Sequence, residues 1–177
     1  MIRQLALLRG INVGGRNILP MKQLVEHFRS MGARDVQTYI QSGNVVFSAE
    51  KRWADREVAA LRDEILAASD FAPSVLILDA RELQAAIAAN PFPDTDGKAL
   101  HFFFLAAEPK QANLARLDAL KTRTESFALL CKVFYLRAPD GVGRSRLAPA
   151  VESALGVATT ARNGNTVEKL ASMLGLA

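Results

Sequence analysis

The stretch Tyr39-Ile40-Gln41-Ser42-Gly43-Asn44-Val45-Val46-Phe47 decides the fold. Its Ser-Gly pair is a turn signal between two runs, Val36 to Ile40 and Asn44 to Ser48, so it predicts a hairpin. Upstream, Ile2 to Leu8 is apolar apart from Gln4, the pattern of a strand covered on both faces. Between that strand and the hairpin, Met21, Leu24, Val25, Phe28 and Met31 recur at helical spacing, with Pro20 at the first helical position and Gly32 closing the helix. Downstream, Val58, Leu61 and Ile65 line a helix from Trp53 to Ser69, and Val75 to Leu78 make a fourth strand. The order is strand, helix, strand, strand, helix, strand, which is the split pattern of a ferredoxin-like unit. Asp79 and Glu82 have capping-box spacing and predict a further helix up to Asn90.

Asn90-Pro91-Phe92-Pro93-Asp94-Thr95-Asp96-Gly97 combines proline with turn formers and reads as a linker. After it, Leu100 to Ala106 is a strand, Leu114, Leu117 and Leu120 line a helix, and Phe127 to Leu130 and Val133 to Leu136 form a strand pair. Leu147, Val151 and Leu155 make a helix closed by Gly156, and Val157 to Thr160 a short edge strand. Asn165 and Glu168 have the spacing of a cap and its reciprocal partner, so the last helix is expected to begin at Asn165. The expected class is α+β: a ferredoxin-like βαββαβ part with a trailing helix over residues 1–89, a linker over 90–98, and a second small α+β part over 99–177.

With 177 residues and 50% apolar composition, the chain can bury one sizeable core or two small ones. No run approaches the roughly 18 apolar residues that span a bilayer, and Met1-Ile2-Arg3-Gln4 reads as a strand entry, so a cytoplasmic protein with no membrane partner is expected. The single Cys131 lies between Leu130 and Lys132 and reads as a packed small hydrophobe. Net charge is +4, unevenly spread: residues 1–48 hold six Lys/Arg against two Asp/Glu, 49–107 six against ten, and 108–177 ten against six. The positive surplus falls in the segments that carry the polar turns, which points to an acidic partner such as phosphate or nucleic acid.

One turn, Leu8-Arg9-Gly10-Ile11-Asn12-Val13-Gly14-Gly15-Arg16-Asn17, contains G-x-x-x-x-G-R-N, a near miss to the phosphate loop of nucleotide hydrolases. Asn17 does not supply the metal-binding hydroxyl, and Pro20 starts the helix several residues too late. Topology is more informative. In a ferredoxin-like sheet the first strand ends where the hairpin turns over, so Gly10 to Asn17 and Gln41 to Asn44 should meet. That end would collect Arg9, Asn12, Gly14, Gly15, Arg16 and Asn17 with Gln41, Ser42 and Asn44. Glycine-rich backbone can form anion-binding nests and arginine can chelate an oxyanion in a fork. The competing reading is a structural clasp, in which glycines serve turns and amide side chains tie the loops together. Arg144, Arg146 and Arg162 precede helix starts, where a cation is misplaced unless an anion sits there too. Ser145 itself reads as an N-cap.

His27 and His101 lack metal-ligand spacing and read as packing or surface residues, so no metal or cofactor is expected. No Ser lies in a G-x-S-x-G elbow, and the paired strand aromatics of RNA-recognition domains are missing. Phe102 to Phe104 read as core residues.

Leu8 to Gly15, Tyr39 to Phe47, Gly143-Arg144-Ser145-Arg146-Leu147 and Thr160-Ala161-Arg162-Asn163-Gly164-Asn165-Thr166-Val167-Glu168-Lys169-Leu170 resemble the signature blocks of a bacterial family known as domain of unknown function 1697. The resemblance covers essentially the whole chain. It implies a two-part α+β fold with a ferredoxin-like N-terminal part, and no activity. Such proteins commonly carry Trp where this chain has Gly164, which takes an aromatic stacking role away from that position. Three functional readings follow. The first is a binding module for a phosphorylated ligand or nucleic acid. The second is a metal-free enzyme on a phosphorylated small molecule, with Arg9 or Arg16 stabilising charge and Tyr39 or a hydroxyl moving protons. The third is an interaction protein whose motifs are structural.

Overall fold

A computed structural model of the chain describes residues 1–176. The elements run β1 (Ile2–Arg9), α1 (Met21–Ser30), β2 (Arg34–Tyr39), β3 (Asn44–Ala49), α2 (Asp55–Ser69), β4 (Ser74–Asp79) and α3 (Ala80–Ala88). Then come β5 (Leu100–Leu105), α4 (Leu114–Leu120), β6 (Ser126–Leu130), β7 (Val133–Arg137), α5 (Val151–Leu155), β8 (Thr159–Asn163) and α6 (Gly164–Leu174). Contact density divides the chain into two compact units, Met1–Gln84 together with the residues from Leu170 on, and Ala85–Lys169.

The first unit holds an antiparallel sheet of order β2-β3-β1-β4, the ferredoxin-like arrangement that the hairpin predicts. Ala6 and Leu8 of β1 and Val45 and Phe47 of β3 share one face, on which α1 lays Leu24 and Phe28 and α2 lays Leu61 and Ile65. Trp53 completes that core, its ring 4.6 Å from Phe47 and 5.2 Å from Phe28 between centroids. Leu5, Leu7 and Val46 on the opposite face are also fully buried, which is why β1 shows no alternation of polar and apolar residues. Gln4 interrupts the run and is satisfied: its Nε2 donates to the Lys51 carbonyl at 3.0 Å and its Oε1 accepts from the Trp53 N–H at 2.8 Å. The box ahead of α3 forms in both directions, Glu82 N–H to Asp79 Oδ1 and Asp79 N–H to Glu82 Oε2, each 2.9 Å.

The second unit repeats the topology, with antiparallel order β6-β7-β5-β8. Phe103, Leu105, Phe134 and Leu136 face a core that includes Leu117 and Leu155, and Phe102 and Phe104 are buried on the other face. The expected edge strand at Val157 to Thr160 lies two residues later. Val157 packs into the core after the left-handed turn at Gly156, and Thr159 to Asn163 then ladder with β5. Because β8 runs directly into α6, the cap is Asn163, whose Oδ1 accepts the Thr166 N–H at 2.9 Å, and not Asn165 as the spacing had predicted. Residues 90–98 fall in this unit and are bonded within it: Asn90 Oδ1 accepts the Phe92 N–H at 3.0 Å, and the Gly97 carbonyl accepts the N–H of Gly164 at the start of α6 at 2.8 Å. A Cβ on Gly164 would stand 2.9 Å from the Gly97 Cα, so the backbone occupies the space that a side chain there would need.

Candidate functional site

β1 and the β2–β3 hairpin finish at the same end of the first sheet, because β3 runs antiparallel beside β1 with Leu7 opposite Asn44. The Leu8 N–H donates to the Gly43 carbonyl at 2.8 Å, one step beyond that pair. Gly43 has φ +77°, and a Cβ there would lie 2.7 Å from the Leu8 Cβ and 2.9 Å from the Leu8 carbonyl oxygen. Only glycine allows the strands to approach so closely.

The loop after β1 is a narrow hairpin of its own. Asn12 N–H donates to the Asn17 carbonyl and Arg16 N–H to the Val13 carbonyl, both at 3.0 Å. Gly14 and Gly15 take the two turn positions at φ +57° and +74°, the signs of a tight two-residue hairpin turn. The nucleotide-loop likeness therefore covers a hairpin, and α1 starts at Met21, separate from it.

Amide side chains brace the two loops, and one of them joins the pair. Asn12 Nδ2 donates to the Leu19 and Gln41 carbonyls, both at 3.0 Å, while its Oδ1 accepts the Leu19 N–H at 2.8 Å. Asn17 Nδ2 donates to the Gly10 carbonyl at 2.7 Å. Asn44 is buried, and its Nδ2 donates to the Tyr39 carbonyl at 3.1 Å and to Ser42 Oγ at 2.9 Å. Asn12 thus ties one loop to the other, while Asn17 and Asn44 brace each loop from within.

Arg9, Arg16, Gln41 and Ser42 are exposed around it. Residues 9–22 and 39–44 contain no Asp or Glu. α1 starts beside the loop with Pro20 at its N-cap, no side-chain cap and no acid in its first turn, where Lys22 stands instead. A helix N-terminus with a cation and without a carboxylate favours an incoming anion.

Sequence reasoning placed nine candidates at this end, and the structure brings all nine together. It missed Val13, Ile18 and Ile40, which are 66%, 60% and 54% exposed on the same loops. Ile40 also holds φ +48°. No sequence signal separates them from Ile11, a β-branched residue of the loop after β1 that is buried.

Arg144, Arg146 and Arg162 belong to the second unit. Arg144 and Arg146 are exposed on either side of Ser145, whose Oγ accepts the Ala148 N–H at 3.0 Å as the expected cap. Arg162 is buried in β8, with Nη1 donating to Thr160 Oγ1 at 2.9 Å and the Ala161 carbonyl at 2.7 Å, and burial pulls its guanidinium down to about 10. His27 is buried, its Nδ1 2.9 Å from Glu64 Oε1, which also accepts from Ser30 Oγ at 2.7 Å. Burial raises the Glu64 pKa, but the bonds from His27 and Ser30 outweigh it and the net shift is downward. His101 is buried on β5, and loss of solvent lowers its pKa against a smaller opposing bond to the Ala99 backbone. No helix among the described residues is long and apolar enough to cross a membrane.

The family described as "Protein of unknown function (DUF1697)" matches residues 1–135. The chain belongs to this family. Both loops of the clasped end lie inside the matched region, whereas the blocks at 143–147 and 160–170 lie outside it. Among solved structures the chain is similar to the conserved bacterial protein SP0830 from Streptococcus pneumoniae, at 23% identity, with a TM-score of 0.75 and 99% of each chain covered. At that identity the likeness shows a shared fold. No match is found among curated proteins.

Proposed function

We propose that this protein is a binding module for a phosphate-bearing ligand, engaged at the clasped end of the first sheet. One observation carries the reading: two loops joined through Asn12 form an end that has Arg9 and Arg16 exposed, in segments that contain no Asp or Glu. Arg9 and Arg16 present guanidinium groups to phosphate, assisted by Lys22 and by Gln41 and Ser42 at the rim. A guanidinium fork meets two phosphate oxygens at once, and the clasp fixes where each fork is presented.

The test is fluorescence anisotropy with a labelled oligonucleotide and competition by inorganic polyphosphate, across a salt series. Wild-type protein should bind with an affinity that falls as salt rises. The double variant Arg9→Ala/Arg16→Ala should keep its melting temperature and lose about 1.5–3 kcal/mol for each charge-assisted bond removed. A wild-type protein that binds no phosphate-bearing probe, or a folded double variant with unchanged affinity, would overturn the reading.

A further inference from the structure

The geometry points to single-stranded nucleic acid as the phosphate-bearing ligand, with its backbone on Arg9 and Arg16 and its bases on Val13, Ile18 and Ile40; this rests on the reading of the clasped end as a phosphate-binding surface. One side chain sets the arrangement. Asn12 bonds to the carbonyl of Gln41, next to Ile40, and to both backbone groups of Leu19, next to Ile18, while Val13 directly follows Asn12. Three large aliphatic side chains, 66%, 60% and 54% exposed, are therefore carried on the same joined loops as two exposed arginines. Exposed apolar groups gathered at one place mark a contact surface.

Ile40 strengthens the argument. A β-branched residue at φ +48° is a conformational outlier, and such strain persists where the surrounding structure holds it and clusters at functional sites. Glycine or asparagine would fit that backbone better, so the feature gained is an isoleucine side chain held out in water.

The chemistry selects among phosphate-bearing ligands. Polyphosphate or a small oxyanion meets the protein through charge alone and leaves the three aliphatic groups wet. Duplex nucleic acid also presents its phosphates and keeps its base faces stacked inside. A single strand offers a phosphate backbone and free base faces together, which is the combination that this surface matches. Tyr39, half-buried at the end of β2 and adjacent to Ile40, adds an aromatic ring on the same turn.

The experiment compares four probes at one ionic strength: a labelled single-stranded oligonucleotide, the same sequence as duplex, inorganic polyphosphate, and phosphatidylglycerol vesicles. The single strand should bind at least about tenfold tighter than duplex or polyphosphate. Val13→Ser/Ile18→Ser should weaken the single strand about tenfold and leave polyphosphate binding unchanged, whereas Arg9→Ala/Arg16→Ala should weaken both. Ile40→Gly relaxes the backbone, so it should melt no lower than wild type while losing affinity for the single strand. Duplex or polyphosphate bound as tightly as the single strand would overturn the inference and leave phosphate binding at this end standing. Preferential capture by the vesicles would overturn it in favour of a lipid surface. Absence of binding to every probe would sink both the inference and the reading beneath it.

Discussion

Gly43 stands where β3 leaves the turn, with the Leu8 side chain and carbonyl pressed against its α-carbon. Alanine there meets two separate costs. A left-handed φ disfavours any Cβ by about 1–2 kcal/mol, and forcing a methyl into packed space adds about 1–3 kcal/mol. Gly156 is left-handed too, at φ +68° and ψ +19°, but nothing lies within 4 Å of a Cβ built on it. Urea unfolding should therefore show Gly43→Ala losing about 2–5 kcal/mol and Gly156→Ala only the first part, about 1–2 kcal/mol. Equal losses would mean that Leu8 yields and that the close approach is soft. Tyr135 poses a question of charge. Its ring is fully buried and its hydroxyl donates to the Ala86 carbonyl at 2.7 Å. Burial, helped by charge at Cys131, pushes its pKa from 10.0 up to about 12. A raised folded-state pKa leaves stability intact below the unfolded value near 10 and removes it as pH climbs through 12. Melting temperatures between pH 10 and 12 should fall more steeply for wild type than for Tyr135→Phe. Parallel curves would refute the assignment.

Elements whose borders are set by local chemistry were legible in the sequence. β1 announced itself by an apolar run broken only at Gln4, α3 by its reciprocal Asp79–Glu82 box, and the central hairpin by Ser-Gly. β8 was legible only in part, because Thr159, Thr160 and Arg162 are polar residues made into a strand by pairing with β5, a partner more than fifty residues away. The start of α6 followed from that error. Asn163 and Asn165 both look like caps, and only the point where the ladder ends tells them apart. Thermal unfolding checks the correction: Asn163→Ala should cost about 1 kcal/mol and Asn165→Ala almost nothing. The reverse order would restore the original start. At the clasped end, the meeting of the loops was legible from topology and the amide clasp was one of two readings left open. The exposed aliphatic groups were not read, because burial depends on what the tertiary structure places over a residue.

Across the whole molecule, two units share one strand order and differ in the chemistry at corresponding ends. In the second unit the Leu105 N–H donates to the Lys132 carbonyl at 2.9 Å, the counterpart of Leu8 and Gly43, and Cys131 holds the left-handed turn position at φ +51°. The same ladder is thus closed by Cys and Lys in one unit and by Ser and Gly in the other, so a common topology assigns no common role. The division of the chain also bears on how it is made. Residues from Leu170 on cluster with Met1–Gln84, although a ribosome adds them after the entire second unit. The usual expectation is that the segment emerging first finishes folding first. Here the first unit draws on residues made after the second, so Met1–Gln84 completes its packing only once Leu170 and its successors have emerged.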